Sequence, residues 1–388
     1  MRIGIDARFY GPQAKGLGRY CQELLGQLQL LDKKNQYVVF LRREDFTEVE
    51  FVAPNFRKVL ADWRPYSPGE QLFFPWLIWR NQVDLMHFTH FNAPYFWRGP
   101  LVVTIHDLIL KKFPTRRSGI FAGFKYKIKN IFYHLCLRSV ARRARKIITV
   151  SHYTKSDLVK ILKTPPSKIE VIYEGATFLP RPSQKPAERE IVLRKYGLQK
   201  PYALYVGNAY PHKNLPFLLR SFAQLLQVKQ SPFLQLALVG KKDDFYRRIE
   251  QNFHATCQAA PQKQAKFCAS VMFTGFVPDR ELAVLYSEAF VYVFPSLCEG
   301  FGFPGLEAMA FDVPVLAAAA SCLPEIFGPA ALYFDPRNQA DFLRQLKALL
   351  ADQFLRQKLI SLGRRQIKKF TWSPAARTTL KIYTKAAL

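Results

Sequence analysis

Short apolar runs alternate along the chain with stretches whose apolar residues recur every three or four positions. Residues 2–6, 37–41, 85–88, 101–106 and 146–150 read as strands, and 18–30 and 151–162 as helices. The alternation restarts with strands at 202–206, 234–239, 271–274, 289–294, 313–317 and 331–334. Helices fall between them at about 214–227, at about 279–288 and from Pro304. Continuously apolar strands separated by amphipathic helices predict parallel sheets covered on both faces. Two such series predict an α/β chain of two Rossmann-like, doubly wound domains facing a central cleft. In such sheets ligands gather outside the carboxyl ends of the strands, where strand order reverses. Loops that leave strands are therefore where chemistry is expected.

Around 175–186 the texture changes to a Pro-rich segment without periodicity, read as a linker. The expected organisation is a first domain over 1–175, a linker over 176–197, a second domain over 198–371, and a C-terminal helix over 372–388. A length of 388 residues fits two domains, at roughly 100–200 residues each. The first residues, Met1-Arg2-Ile3-Gly4-Ile5-Asp6, read as a strand and lack the apolar core of a signal peptide. The longest apolar run, 72–79, is far short of the roughly 20 residues a membrane-spanning helix needs and contains Pro75. Cysteines at 21, 136, 257, 268, 298 and 322 form no Cys-x-x-Cys pair, so a reduced chain is expected. A cytoplasmic protein follows, either free or peripheral on the inner face of the plasma membrane.

Charge complicates this picture, because 57 Lys and Arg oppose 29 Asp and Glu for a net +28. The excess is regional. Residues 101–150 hold twelve basic side chains and one acid, whereas 251–350 hold six basic and nine acidic ones. A protein that merely coats polyanions has little need of a mildly acidic stretch of that length. Between Ile120 and Lys146, Phe121, Phe124, Ile128, Ile131, Phe132 and Leu135 interleave with Lys125, Lys127, Lys129, Arg138, Arg142, Arg143 and Arg145. Such a basic amphipathic stretch has two readings: a core-facing stripe with a solvated basic back, or a surface for anionic lipid.

The most motif-like segment lies in the acidic stretch. Phe294-Pro295-Ser296-Leu297-Cys298-Glu299-Gly300-Phe301-Gly302-Phe303-Pro304-Gly305-Leu306-Glu307 places a strand end, a Gly-rich loop and a helix start in succession. With Pro304 as the first helical residue, the amides of Gly302, Phe303 and Gly305 would cluster at a helix N-terminus, where donors and dipole stabilise a phosphate. Glu299 and Glu307, eight positions apart, would hold groups at the loop and farther along a bound nucleotide. On residues alone, an alternative stands level with this: Glu299 as a solvated loop acid and Glu307 as a complement to the helix dipole.

The arrangement resembles glycosyltransferase family 4, the retaining nucleotide-sugar enzymes of GT-B fold, and within it bacterial mannosyltransferase-like members. The two-glutamate motif is the most specific match. Supporting segments are Gly16-Leu17-Gly18-Arg19-Tyr20, Thr104-Ile105-His106-Asp107, Val150-Ser151-His152 and Gly207-Asn208-Ala209-Tyr210-Pro211-His212-Lys213-Asn214. The resemblance implies that Glu307 binds the nucleotide ribose, Glu299 reads hydroxyls of the transferred hexose, and Lys213 neutralises the diphosphate. It sets His106 against the reacting sugar through side chain or carbonyl. Gly16 and Gly18 admit the diphosphate or acceptor, and Ser151 either donates to a phosphate or caps the next helix. Where many members carry an arginine this chain has Asn208, with His212 the nearest substitute. Asp312 stands where a glycine is usual, which a left-handed backbone would accommodate.

The resemblance further implies a hexosyltransferase that moves a sugar, mannose from GDP-mannose favoured, to a glycan or diphosphate-lipid acceptor in polysaccharide biosynthesis. No cofactor or metal is expected, since no Asp-x-Asp motif is present. An anionic membrane surface is a plausible partner, and specific nucleic acid is not. The resemblance also implies that the chain beyond 372 returns to the first domain, which would gather the C-terminal charge there. Two alternatives remain at this stage: a non-catalytic basic protein binding membrane or nucleic acid, and a sugar-nucleotide epimerase on the same fold.

Overall fold

In the computed structural model of the protein, residues 1–11, 15–114, 122–176, 179–227, 234–259 and 261–387 are described. They form two compact units, one holding 1–108, the described part of 118–175, and 371–387, the other holding 176–370 and a short segment from Ile109.

The first unit is built on a seven-stranded sheet of β1 (Arg2–Asp6), β2 (Gln36–Leu41), β3 (Phe56–Leu60), β4 (Leu85–Phe88), β5 (Leu101–Ile105), β6 (Lys146–Thr149) and β7 (Ile169–Val171). The strands pair in parallel in the order β3-β2-β1-β4-β5-β6-β7. Order reverses between β1 and β4. Strands β1, β4 and β5 are almost wholly buried, as a sheet covered on both faces requires. Strands β3 and β7 are the two the sequence pattern missed. Both lie at sheet edges and are only partly buried, so their apolar signal is diluted.

Helices Lys15–Leu31 and Trp372–Ala387 pack together in this unit. Tyr383 brings its hydroxyl to 2.6 Å from His87 Nδ1, tying the C-terminal helix to β4. Of the nine basic residues beyond 350, only Arg377, Lys381 and Lys385 therefore belong to this unit. The expectation that the whole C-terminal charge gathers there is corrected: the other six lie in the second unit.

The second unit has a six-stranded parallel sheet of β8 (Tyr202–Val206), β9 (Gln235–Val239), β10 (Val271–Gly275), β11 (Val291–Phe294), β12 (Val315–Ala318) and β13 (Ala331–Phe334). Its order is β10-β9-β8-β11-β12-β13, so reversal falls between β8 and β11. Pro186–Lys195, read as linker, is instead a helix with Pro186 opening its first turn, and it packs on helix Asp279–Ser287. Thr177 and Phe178 of that linker lie outside the described residues. The all-reduced expectation is also corrected. Helices Asp244–Ala259 and Pro261–Ser270 pack side by side and bring Cys257 and Cys268 together in a disulfide, whereas the four free cysteines are buried.

The basic stretch forms one helix, Ala122–Arg143. Tyr133, Leu137, Val140 and Ala141 supply its buried face, while Ile131, Leu135, Arg138 and Arg142 are exposed. Phe121 and the side chains of Phe124, Lys125, Lys127, Ile128 and Lys129 lie outside the described residues. Among the described residues no helix is long and apolar enough to cross a membrane.

Candidate active site

Strands β8 and β11 are neighbours at the reversal point of the second sheet, so the loops leaving their carboxyl ends meet. Leu297 donates its amide to the His212 carbonyl at 2.7 Å. Asn214, in a left-handed conformation (φ 60°), donates its side-chain amide to the carbonyls of Pro295 (3.2 Å) and Pro336 (3.0 Å). These bonds pin the turn Pro211–Lys213 and set Lys213 Nζ 2.6 Å from Glu299 Oε1. Both side chains are largely buried, at 14% and 10% exposure. Glu299 is held from behind, its amide donating to Ser321 Oγ at 3.0 Å and its carbonyl accepting from the Cys322 thiol at 3.3 Å.

Gly302 adopts φ 117°, a conformation that favours glycine, and turns the chain into helix Phe303–Ala310. Phe303 is the first helical residue and Pro304 the second, one position from the expected start. The Gly305 amide donates to the Gly302 carbonyl at 3.1 Å, so it is engaged within the turn, and only the Gly302 and Phe303 amides keep the place expected of them. Glycine at 305 has another cause: a Cβ there would lie 2.3 Å from Phe327 Cζ. Glu307, one turn along and buried, accepts from the Tyr286 hydroxyl at 3.1 Å. Tyr286 is itself stacked on Phe311, with ring centroids 5.7 Å apart.

His212 is buried, and its Nδ1 has no hydrogen-bond partner among the described residues. Burial pushes its pKa down to about 4 against the pull of Glu299, so the ring is neutral at pH 7. It cannot supply the charge of a missing arginine and is restricted to neutral hydrogen bonding. Asn208 braces its own turn, accepting from the Tyr210 amide through Oδ1 (3.3 Å) and from the Tyr205 hydroxyl through its carbonyl (2.6 Å). Asp312 has φ 60°, and its carboxylate takes both Nε and Nη2 of Arg364 at 2.6 Å. The left-handed position that would tolerate the departure from glycine is thus present.

In the first unit, His106 follows β5. Its Nδ1 lies 2.9 Å from Glu174 Oε1 and its Nε2 3.0 Å from the Thr89 carbonyl, and Tyr20 meets it edge-on at 4.8 Å. Both neighbours are acceptors, so the ring satisfies both only as imidazolium, with two N–H donors. Burial opposes that charge, but the hydrogen bond and charge of Glu174 outweigh it and raise the pKa. The His106 carbonyl accepts from the Thr154 hydroxyl at 3.2 Å. Ser151, fully buried, caps helix His152–Leu162, its Oγ accepting from the Thr154 amide (3.2 Å) and donating to Thr154 Oγ1 (3.1 Å). Of its two readings the structure displays the cap. Gly16 and Gly18 lie in the first turn of helix Lys15–Leu31, after β1; Gly18 is buried, and a Cβ at the exposed Gly16 would meet open space.

Two family descriptions fit this chain, Glycosyltransferase Family 4 over residues 14–177 and Glycosyl transferases group 1 over residues 188–366. The chain belongs to these glycosyltransferases. The enzyme is 27% identical, over 391 residues and 95% of each chain, to O-antigen chain mannosyltransferase B of Escherichia coli. Its fold matches sucrose-phosphate synthase from Thermosynechococcus elongatus (TM-score 0.73, 23% identity, 99% and 98% of the two chains). It also matches WaaG, a glycosyltransferase involved in lipopolysaccharide biosynthesis (TM-score 0.67, 16% identity, 98% and 99%). The architecture is GT-B, and the non-catalytic alternative is set aside.

In this glycosyltransferase each candidate cluster draws on residues that have no role assigned from the sequence: Thr89 and Glu174 in the first unit, Asn214, Tyr286 and Ser321 in the second. Each acts by holding a candidate side chain or loop. Asn214, inside the quoted segment that ends on it, had a signal that could have flagged it.

Proposed function

We propose that the protein is a retaining hexosyltransferase that moves mannose from GDP-mannose to a glycan or lipid-linked acceptor in the assembly of a surface polysaccharide. The observation that carries this reading is the meeting of Lys213 and Glu299 at the β8/β11 reversal point, beside the N-terminus of helix Phe303–Ala310. A nucleoside diphosphate gains negative charge as the bond to the sugar breaks, and a fixed cation with helix-end amides stabilises that charge as it develops. Lys213 takes the diphosphate, the Gly302 and Phe303 amides assist it, and Glu307 binds the ribose hydroxyls. Glu299 accepts from hexose hydroxyls. His212, neutral, donates one hydrogen bond.

In this reading the sugar C1–oxygen bond to the diphosphate breaks on the face where the acceptor oxygen bonds, through an oxocarbenium-like state. The acceptor proton passes to the departing phosphate oxygen. His106, as imidazolium, contributes positive potential on the acceptor side, with Gly16 and Gly18 admitting the acceptor. Ser151 acts as a helix cap. With Lys213 and the helix end on the diphosphate, no divalent cation is required, and turnover should survive EDTA. The full-length likeness to a mannosyltransferase supports the choice of sugar.

The deciding experiment is a thermal-shift panel of GDP-, UDP-, ADP- and dTDP-sugars on the wild type and Glu307→Ala. A ligand at 100 times its Kd stabilises by about 2.7 kcal/mol. A shift confined to GDP-mannose and lost in the variant supports the reading. A shift for another nucleotide changes the donor, and acceptor-free conversion to an epimeric nucleotide-sugar, with no nucleoside diphosphate released, turns the reaction into an epimerisation.

A further inference from the structure

Helix Pro68–Arg80 is apolar almost all the way round, with sequence PGEQLFFPWLIWR. Its buried face is set by Gln71, Phe74 and Ile78, yet Leu72, Phe73, Trp76 and Trp79 on the other side are 59%, 55%, 51% and 71% exposed. Helices apolar on every side are normally enclosed, and a contiguous apolar surface of this kind on a soluble chain marks an interaction site.

The surface continues beyond this helix. The Tyr95 amide donates to Gln71 Oε1 at 2.7 Å, which lays exposed Tyr95 and Phe96 beside the helix. On another side Tyr66, next to the Ser67 cap, meets Phe132 edge-on, bringing up the exposed Ile131 and Leu135 of helix Ala122–Arg143. Arginines accompany these apolar groups. Arg80 lies 5.3 Å over Trp76 and Arg98 5.1 Å over Tyr95, while Arg138 and Arg142 share the exposed face of Leu135. The one acid of the helix, Glu70, is buried against Arg8, and the acids nearest it in sequence are engaged elsewhere, Asp62 with Arg43 and Asp84 with the Arg2 amide.

We propose that this surface docks the protein on an anionic lipid bilayer, with Trp76, Trp79 and their neighbours inserted at the headgroup boundary and the arginines on lipid phosphates. Amphipathic Trp and Tyr rings favour that boundary, and arginine binds phosphate oxygens through its planar fork. A protein partner would more often mix acidic with basic groups at its rim, whereas this one carries arginine beside every apolar segment. The inference does not depend on which donor sugar is used.

The test is flotation of the full chain with vesicles of phosphatidylglycerol in phosphatidylethanolamine, against phosphatidylcholine vesicles. Expected are co-flotation with the anionic vesicles only, loss of binding at high salt, and a blue shift of tryptophan emission. Trp76→Ser with Trp79→Ser, and separately Arg138→Ala with Arg142→Ala, should each lower the bound fraction about tenfold or more. Both should leave thermal stability and the GDP-mannose thermal shift as in wild type. Absence of flotation by the wild type, or variants that float as it does, overturns the proposal. Wild-type self-association abolished by the Trp changes, without flotation, assigns the surface to a second copy and equally overturns it. A lost nucleotide shift with retained flotation would instead indict the donor reading.

Discussion

Lys213 Nζ and Glu299 Oε1 stand 2.6 Å apart across two loops separated by 86 residues of chain. The cation proposed for the diphosphate is paired with the carboxylate proposed for the hexose, so each orients the other. Lys213→Ala should lower kcat by about 10² to 10³, the usual cost of removing a group aimed at developing charge. Glu299→Gln should also be severely impaired. Because both changes break one pair, the double variant should fall well short of the product of the two losses in steady-state assays. Full additivity, or an active Glu299→Gln, would remove the pair from the mechanism.

Glu307 is buried and takes its hydrogen bond from Tyr286, whose ring is stacked on Phe311. Tyr286→Phe keeps the stack and removes the donor. A hydrogen bond to a charged acceptor is worth about 1.5 kcal/mol or more, so the weakening of nucleotide binding should be about tenfold. Titration calorimetry with GDP reads this directly; unchanged affinity would leave Tyr286 as packing alone.

His106 titrates in a setting that favours its charged form. Its folded pKa is raised above the unfolded value of about 6.5, chiefly because the hydrogen bond and charge of Glu174 outweigh burial. Its contribution to stability is therefore fully present below about pH 6.5 and is lost as pH rises through the folded value. In Glu174→Gln, burial dominates, so the His106 C2 proton should titrate lower by NMR. Urea unfolding of that variant should lose less stability than wild type between about pH 6 and 9. An unmoved titration would mean that Glu174 is not what charges the ring.

Three other histidines act in the opposite sense. Burial holds His87 and His90 at about 3 and His212 at about 4. The unfolded chain takes up protons that the fold refuses, so stability present above about pH 6.5 falls as pH drops toward those folded values. His212→Asn removes one such proton and should flatten the slope of unfolding free energy around pH 5 by up to about 1.4 kcal/mol per pH unit.

Gly305 lets helix Phe303–Ala310 lie directly on Phe327. A Cβ at 2.3 Å from the ring forces the phenyl or the helix to move, and overpacking of this kind costs about 1–3 kcal/mol. Gly305→Ala should lower the melting temperature and weaken nucleotide binding together, because the displaced end of the helix carries the Gly302 and Phe303 amides.

The strands and helices that carry the site were legible because fully buried strands such as β11 and β12 are unbroken apolar runs, and the loop of Glu299 announces itself by glycines beside a helix start. Edge strands β3 and β7, half exposed, lacked that signal. Helix Pro68–Arg80 was legible only as an apolar run too short to span a membrane, since an all-round apolar pattern does not tell which face is covered. The cysteine spacing did not reveal the Cys257–Cys268 bond, because two packed helices bring those residues together. The sequence by itself determined the two parallel sheets and the places where chemistry could sit, since periodicity and local turn residues depend on neighbours in the chain. Only the tertiary structure decided the state of each group: Lys213 paired with Glu299, the pKa of His106 raised by Glu174, His212 neutral. Protonation and pairing depend on partners tens to scores of residues away and on exclusion of water, which no local pattern encodes.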